Sequence, residues 1–408
     1  MRTTRSPHAP AAAAGPELSR RTFIAGVAAG AGALAIAGRS TGVRAASEPL
    51  EVRSMVPPRL EAANLGERIL CHRPMRRGSP NLTVEEVGGQ VIAHDYGHGG
   101  SGWTLGPGCA TYVVENALAM PAAAALAKDA PVIVVGAGVI GLLTAYELVR
   151  RGYTAVEIIA EAFTGTTSHN AAGLLAPVSM DNDPESQALI DQIGVEAYRF
   201  FASIAAGTHP DFATGASIVP SYFETREESG LEPYVGIVME PAKDVILDFG
   251  NGTQRTMVVY DDGIFMDTAV LMDELTAWLT PHVTFTQGKV EAFADLPAQL
   301  IFDCTGLGAA ELDDDASVVS VQGHLVMLRD QVPADVNTQI LIYLPEGTTA
   351  EGMKAKRSFY LMPKRLSGSG PNDVGTVGGT FIEGATPETP NESEFDLLID
   401  QAKVFYGI

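Results

Sequence analysis

Only 3 cysteines and 2 tryptophans occur in 408 residues, and basic side chains are scarce, 27 Lys and Arg against 49 Asp and Glu. Cys71, Cys109 and Cys304 are too widely spaced for a zinc pattern, and an odd number cannot close a disulfide framework. They read as buried thiols acting as small hydrophobes, and no metal is expected. The formal charge of −22 repels phosphate backbones and excludes nucleic acid as the expected partner. There is no internal repeat of roughly 20–50 residues, which excludes solenoids and propellers. Charged residues are only 19% while hydrophobic ones reach 46%, so the chain can bury a sizeable core and is not wholly disordered.

Long hydrophobic runs are also lacking. The uncharged stretch Phe23 to Gly38 is dominated by Ala and Gly, and falls short of the about 20 apolar residues that span a bilayer. Ser19-Arg20-Arg21-Thr22 precedes it and Val43-Arg44-Ala45 follows. Paired arginines, a weakly apolar segment and small residues at a cleavage position read as a twin-arginine export signal over 1–46. A disordered basic tail and an uncleaved, loose membrane anchor are the alternatives. Export implies a periplasmic or secreted protein with no stable membrane insertion, and the remaining residues carry a net charge of −27.

Past a polar lead-in, 47–70, without clear period, Val91-Ile92-Ala93-His94 predicts a strand running into Gly97-His98-Gly99-Gly100-Ser101-Gly102. Val113, Val114, Ala117 and Leu118 predict a helix over roughly 107–119, and 120–130 reads as an Ala-rich connector. The apolar run 131–135 suits a fully buried parallel strand. Gly136-Ala137-Gly138-Val139-Ile140-Gly141 follows, opening a helix to Arg150, and 156–159 makes the next strand, with Glu161 beyond it. In this strand–turn–helix context the glycines of GxGxxG serve a tight turn, close approach to a pyrophosphate, and close helix–strand packing. The helix N-terminus offers N–H groups to the phosphates, so the unit predicts dinucleotide binding. Further on, an amphipathic helix is expected over 267–279 and a strand over 300–303. Short strands alternating with turns are expected in the last 85 residues, ending in a helix over 394–405.

These segments resemble the D-amino acid oxidase family of FAD enzymes. The resemblance is carried by 134–141, by Thr166-Thr167-Ser168 with Ala171-Ala172-Gly173-Leu174, and by Phe302-Asp303-Cys304-Thr305-Gly306. Tyr360-Leu361-Met362-Pro363 and Gly378-Gly379-Thr380 extend it. It implies an α/β fold: a Rossmann-like FAD-binding domain with a second, α+β substrate domain on a mixed, largely antiparallel sheet. The family's Arg-Pro strand and His-Gly-Gly turn come here before the dinucleotide turn, as His72-Arg73-Pro74 and 96–102. A circular permutation is the simplest account, since nearby termini tolerate a moved break. A gene-model artefact and segment exchange between subunits are its rivals. The permutation predicts that Ile408 lies near some residue of 50–70.

The implied layout is 47–85 for the lead-in and Arg-Pro strand, 86–180 and 281–320 for the FAD-binding domain, and 181–280 and 321–408 for the substrate domain. The resemblance implies Arg73 as the clamp on a substrate carboxylate, Tyr360 as a second contact on it, and the Gly100 carbonyl as acceptor for the substrate amine. Arg76 and Arg77 are expected to face solvent, and His98 to be structural. Gly99, Ser101, Gly102, Trp103 and Thr104 are implied to line the flavin. Gly136, Gly138, Val139, Ile140, Gly141, Thr166, Thr167, Ser168, Ala172, Gly173, Leu174, Cys304, Thr305 and Gly306 complete the implied FAD site. Glu161 would reach the adenosine ribose, in a register that Ala160 leaves open, and Lys289-Val290 resembles the strand that holds adenine.

The implied reaction is oxidation of a D-amino acid at Cα with dioxygen as acceptor, giving 2-oxo acid, ammonia and peroxide. No protein base is needed if the amine binds neutral. D-aspartate oxidase, a glycine or sarcosine oxidase relative, and a flavin-binding protein without turnover remain alternatives. The family's second lid tyrosine falls on Lys356, with Tyr343 as a possible stand-in. Lys354, Lys356 and Arg357 either form a basic lid favouring acidic substrates or a solvated patch. A homodimer is possible.

Overall fold

The computed structural model describes residues 49–178 and 180–408, so the expected export signal lies outside the described residues. In chain order the first elements are β1 (Glu51–Ser54), β2 (Leu65–Arg76), β3 (Val84–Val87), β4 (Gln90–His94), α1 (Gly102–Ala119) and α2 (Pro121–Ala124). Next come β5 (Val132–Val135), α3 (Val139–Arg150), β6 (Val156–Ala160), α4 (Thr167–Asn170) and α5 (Pro184–Ala205). The middle holds β7 (Ala216–Ile218), β8 (Ser221–Phe223), α6 (Arg226–Ser229), β9 (Lys243–Asp248), β10 (Gln254–Tyr260), β11 (Ile264–Met266) and α7 (Thr268–Leu279). The chain continues through β12 (Val283–Gln287), β13 (Leu300–Asp303), α8 (Ala309–Leu312) and β14 (Val318–Leu328). β15 (Gln339–Thr348), β16 (Lys354–Met362), β17 (Thr376–Glu383) and α9 (Ser393–Tyr406) complete it.

Four consecutive β-branched residues, Val132 to Val135, can only be accommodated where both faces of a strand are covered. β5 is accordingly buried along its whole length. It lies inside a six-stranded sheet ordered β12-β6-β5-β13-β4-β3, parallel except for the β3–β4 hairpin. β4 and β5 are therefore parallel strands joined through α1, as a crossover demands, with β13 between them. α1 and α3 pack on each other, α5 against α1 and α7 against α3. Caps set two of these starts: Asp183 accepts from the Ser186 N–H ahead of Pro184, and Asp267 from the Val270 N–H.

The second sheet has nine strands, ordered β1-β9-β10-β8-β15-β16-β17-β14-β2, antiparallel apart from the β1–β9 and β8–β15 pairs. α9 covers one face through Phe395, Leu398, Ile399, Ala402 and Phe405, all buried. A short β7–β11 pair stands apart.

Three sequence expectations need correction. α1 begins at Gly102, five residues before the expected start, and carries Pro107 inside it at the cost of one helical hydrogen bond. The lead-in 47–70 is not irregular: β1 pairs with β9, and β2 is twelve residues long from Leu65. The strands of the last 85 residues are long, β14 having 11 residues, β15 10, β16 9 and β17 8. Tertiary pairing extended these strands across weakly apolar residues that local pattern discounts.

Candidate active site

The turn after β5 interlocks with the end of β13. Gly136 has φ +109°, and a Cβ there would lie 2.3 Å from the Cys304 carbonyl oxygen. Gly141, in the first turn of α3, would place a Cβ 2.0 Å from the Gly136 oxygen. Larger residues at either position would push helix, turn and strand apart. At the N-terminus of α3 the Val139 N–H donates to Ser168 Oγ (2.9 Å). The Ile140 and Gly141 amides have no acceptor among the described residues. A cleft of about 1400 Å³, counted to its open mouth, lies over this end. Gly136, Gly138, Val139 and Ile140 line it from the turn, and Cys304, Thr305 and Gly306 from the β13 exit. Thr166, Thr167 and Ser168 form its third side.

Two expectations shift here. Val290 borders the cleft from irregular backbone rather than from a strand, because β12 ends at Gln287 and the Gly288 N–H turns back to the Ala160 carbonyl. Gly141 serves helix packing and does not line the cleft. Glu161 follows β6 directly, is exposed, and does line it.

The cleft runs on into a second cavity of about 1100 Å³, the two sharing Pro74, Val139, Ile140, Thr167, Ser168 and Gly306. Ala172, Gly173 and Leu174 form one wall of this cavity, and Gly99, Gly100, Gly102 and Trp103 another. The two glycine turns are neighbours: a Cβ on Gly102 would lie 3.8 Å from Val139 Cγ1. The second turn is also stapled to the Arg-Pro strand, the Gly99 N–H donating to the Pro74 carbonyl (2.7 Å) and the Arg76 N–H to the Gly97 carbonyl (3.0 Å). Ser101 and Thr104 do not face the cavity. Their hydroxyls donate to the Val178 carbonyl (2.6 Å) and the Ala176 carbonyl (3.0 Å), tying the start of α1 to the opposite wall. Trp103 lines the cavity and donates its indole N–H to the Ser168 carbonyl (2.9 Å). His98 lines it too, its Nε2 lying 3.4 Å from both Asp95 Oδ1 and Cys109 Sγ. Burial raises the Asp95 carboxyl, with His98 opposing.

Arg73 and Tyr360 meet in the same cavity. β2 runs beside β14, and the bare backbone of Gly323 lets the Arg73 guanidinium lie across it; a Cβ there would be 2.5 Å from both terminal nitrogens. Arg73 is 9% exposed, sits over the Phe381 ring at 4.6 Å, and donates Nη1 to the Thr380 carbonyl (2.8 Å). No carboxylate among the described residues lies within 4.0 Å of it. Among the described residues it is the one Lys or Arg lining the cavity, and its charge has no partner there. The Tyr360 ring packs on Gly378 and Gly379. Burial raises its phenol, while Arg73 beside it pulls the other way.

Arg76 is not a solvent-facing charge: its Nε bonds Asp315 (2.7 Å) and its Nη1 the Ser79 carbonyl (3.1 Å). Arg77 is exposed and pairs with Glu383. The expected basic lid divides as well. Lys354 and Lys356 are exposed, whereas Arg357 is buried and forks onto Glu394 through two 2.7 Å bonds. Tyr343 does border the cavity. Leu325, Leu341 and Phe381 line it without having stood out in the sequence, and Met362 lines it from the segment Tyr360-Leu361-Met362-Pro363. For Phe381 the available signal was its place beside Thr380 in the Gly-Gly-Thr segment.

The family model described as "FAD dependent oxidoreductase" (DAO) matches residues 131–406, more than half of the chain. The D-amino-acid oxidase of Streptomyces coelicolor is 27% identical over 249 residues, 55% of this chain and 71% of that protein. The D-amino-acid oxidase of Rubrobacter xylanophilus is 47% identical over 75 residues, 17% of this chain and 21% of that protein. Among solved structures, the glycine oxidase from Geobacillus kaustophilus is 20% identical, with a TM-score of 0.43, over 62% of this chain and 72% of that one.

Proposed function

We propose, on the premise that this chain belongs to the DAO family of FAD dependent oxidoreductases, that it oxidises D-amino acids at Cα and passes the electrons to dioxygen. FAD is the cofactor of the family, and the residues fit it: unpaired amides at the start of α3 suit the diphosphate, and glycine-lined walls suit a flat ring system. Bound in the cleft, FAD would supply the two-electron acceptor for the hydride of the substrate Cα–H and the route for those electrons to dioxygen, which leaves as hydrogen peroxide. The imino acid then hydrolyses in water to 2-oxo acid and ammonia.

The protein's part is positioning. A planar guanidinium can fork onto both oxygens of a carboxylate, and Arg73 is buried with no anion of its own. That unpaired charge is the observation that carries the reading, since a cation held out of water is costly until an anion joins it. Tyr360 adds a hydroxyl at the same end. The Gly100 carbonyl is assigned to the substrate amine, and the apolar walls Leu325, Leu341 and Met362 keep water from the reacting carbon. The relatives named D-amino-acid oxidase support the D configuration. The pairing of Arg357 with Glu394 takes Arg357 out of play for a second carboxylate, which counts against the basic lid as a source of preference for acidic substrates. Peroxide released by the purified, FAD-loaded protein from panels of D- and L-amino acids tests the proposal. Turnover of D-substrates is expected, and peroxide from L-substrates alone would overturn it.

The chain order is read as a circular permutation. The family match starts at residue 131, yet β2 and β4, which precede it, pair with β14 and β13. β1 and the end of α9 also flank the same β9–β10 hairpin. The Met55 N–H bonds the Asp248 carbonyl (2.9 Å), and Asn251 Nδ2 bonds the Tyr406 carbonyl (2.9 Å). A gene re-ordered so that 49–130 follow 131–408 through a short linker should still yield an FAD-binding protein; failure to bind would speak against the permutation. Export by the twin-arginine route is read from Arg20 and Arg21, and no described helix is long and apolar enough to cross a membrane. Replacing both arginines by lysine should retain the protein in the cytoplasm, and unchanged export would refute the signal.

A further inference from the structure

Among the described residues three Lys and Arg side chains are buried: Arg73, which faces the substrate cavity; Arg357, which is paired with Glu394; and Lys364, which neither role explains. Lys364 is 0% exposed and has no carboxylate within 4.0 Å among the described residues. It lies two residues past β16, and its ammonium reaches toward the wall of the cofactor cleft from behind. Nζ donates to the His169 carbonyl at 3.0 Å and to Thr268 Oγ1 at 2.8 Å. Thr268, at the start of α7, in turn donates its hydroxyl to the Ala171 carbonyl at 2.9 Å. His169 and Ala171 belong to the segment whose front face, Thr167 and Ser168 with 170–174, borders the cavity. The same segment reaches the start of α3 through Ser168. One ammonium thus fastens three separate pieces of chain, the segment after β16, α4 and α7, directly behind a wall that must stay in place when a cofactor enters and leaves.

We propose that Lys364 is a positioning residue for FAD: its buried ammonium holds the 167–174 wall against the cofactor and sets positive charge behind it. This depends on FAD occupying the cleft and not on which amine is oxidised. A charge-assisted bond is roughly twice as strong as a neutral one, so the wall is held more firmly while the amine is protonated. Burial lowers the Lys364 pKa from 10.5 to about 8, with Asp267 and Cys71 pulling it back up. The protonated form is therefore lost across an accessible range of pH.

The groups facing it are Asp267, the N-cap of α7; Asp273 of α7, across His169; His169 of α4; Cys71 and Arg73 of β2; and Arg365 beside it. His169 is held down by burial and is already neutral at neutral and mildly alkaline pH. Cys71 is the one ionisable group besides Asp267 that pulls the Lys364 pKa back up, so Cys71→Ala is the control.

The experiment measures release of FAD from the holoenzyme on dilution, by the fluorescence of free flavin, at about pH 7 and about pH 9. For the wild type, release should increase at the higher pH. Lys364→Met should release FAD about tenfold more readily at the lower pH, the loss of one charge-assisted bond, and should show no pH dependence. Cys71→Ala should keep the wild-type profile. Should Lys364→Met not accumulate, Thr268→Val serves instead: it keeps the ammonium, frees Ala171, and should weaken FAD while retaining the pH dependence. Wild-type affinity that stays flat over this range, or a Lys364→Met profile matching the wild type, would overturn the proposal. A purified protein that never takes up FAD would overturn the cofactor assignment itself.

Discussion

Removing the Arg73 side chain as Arg73→Ala tests the clamp at its root. Arg73 is 9% exposed and its guanidinium makes one described hydrogen bond, to the Thr380 carbonyl, so most of its donors remain available for a ligand. A forked carboxylate would gain two charge-assisted bonds worth about 1.5–3 kcal/mol each. Their loss together is about 3–6 kcal/mol, or roughly 10²–10⁴ in kcat/KM at 1.36 kcal/mol per decade. The fold has less to lose. The Phe381 contact at 4.6 Å and the single backbone bond disappear, but so does an unpaired buried charge. Arg73→Lys keeps the charge without the planar fork and should fall between wild type and alanine. The assay is steady-state peroxide production against D-amino acid concentration, with thermal melting in parallel. A kcat/KM for Arg73→Ala within about threefold of wild type would refute the clamp, as would equal losses for substrates with and without a carboxylate.

Tyr360→Phe removes only a hydroxyl from a ring packed on Gly378 and Gly379, so kcat/KM should fall by about 3–10-fold with little change in Tm. Glu394→Gln leaves the Arg357 guanidinium buried without its charge partner; thermal melting should report a loss of about 3–5 kcal/mol. The sign of the Lys364 effect on folding is opposite to that of a paired lysine. Its folded pKa lies near 8, below the free value of 10.5, so between these the unfolded chain binds the extra proton and stability rises with pH. Denaturant titrations of wild type and Lys364→Met should differ by up to roughly 3 kcal/mol in how far stability rises across that window, and parallel curves would contradict it.

Strong local signals translated well from sequence to structure. The run 132–135 could be nothing but a covered strand, and the glycines at 136 and 141 stand where a Cβ has no room. Asp267 caps the helix it announces. What local pattern could not carry was long-range partnership. β1 exists because β9 offers an edge, and the late strands run long because neighbours on both sides hold polar residues in register. Ser101 and Thr104 share a turn with residues that face the cavity, yet their hydroxyls serve the carbonyls of Val178 and Ala176. Arg357 reads as part of an exposed basic patch until Glu394, 37 residues away, is found beneath it. Lys364 is silent in sequence for a similar reason, since its partners come from α4 and α7, far along the chain.

The most direct measurement is anaerobic mixing of the FAD-loaded protein with single amino-acid enantiomers while the visible flavin absorbance is followed. Bleaching by a D-amino acid, none by its L-enantiomer, and return of the colour on admitting oxygen are the predicted results. A flavin that stays oxidised with every D-amino acid, or that is bleached by L-enantiomers alone, would contradict the account.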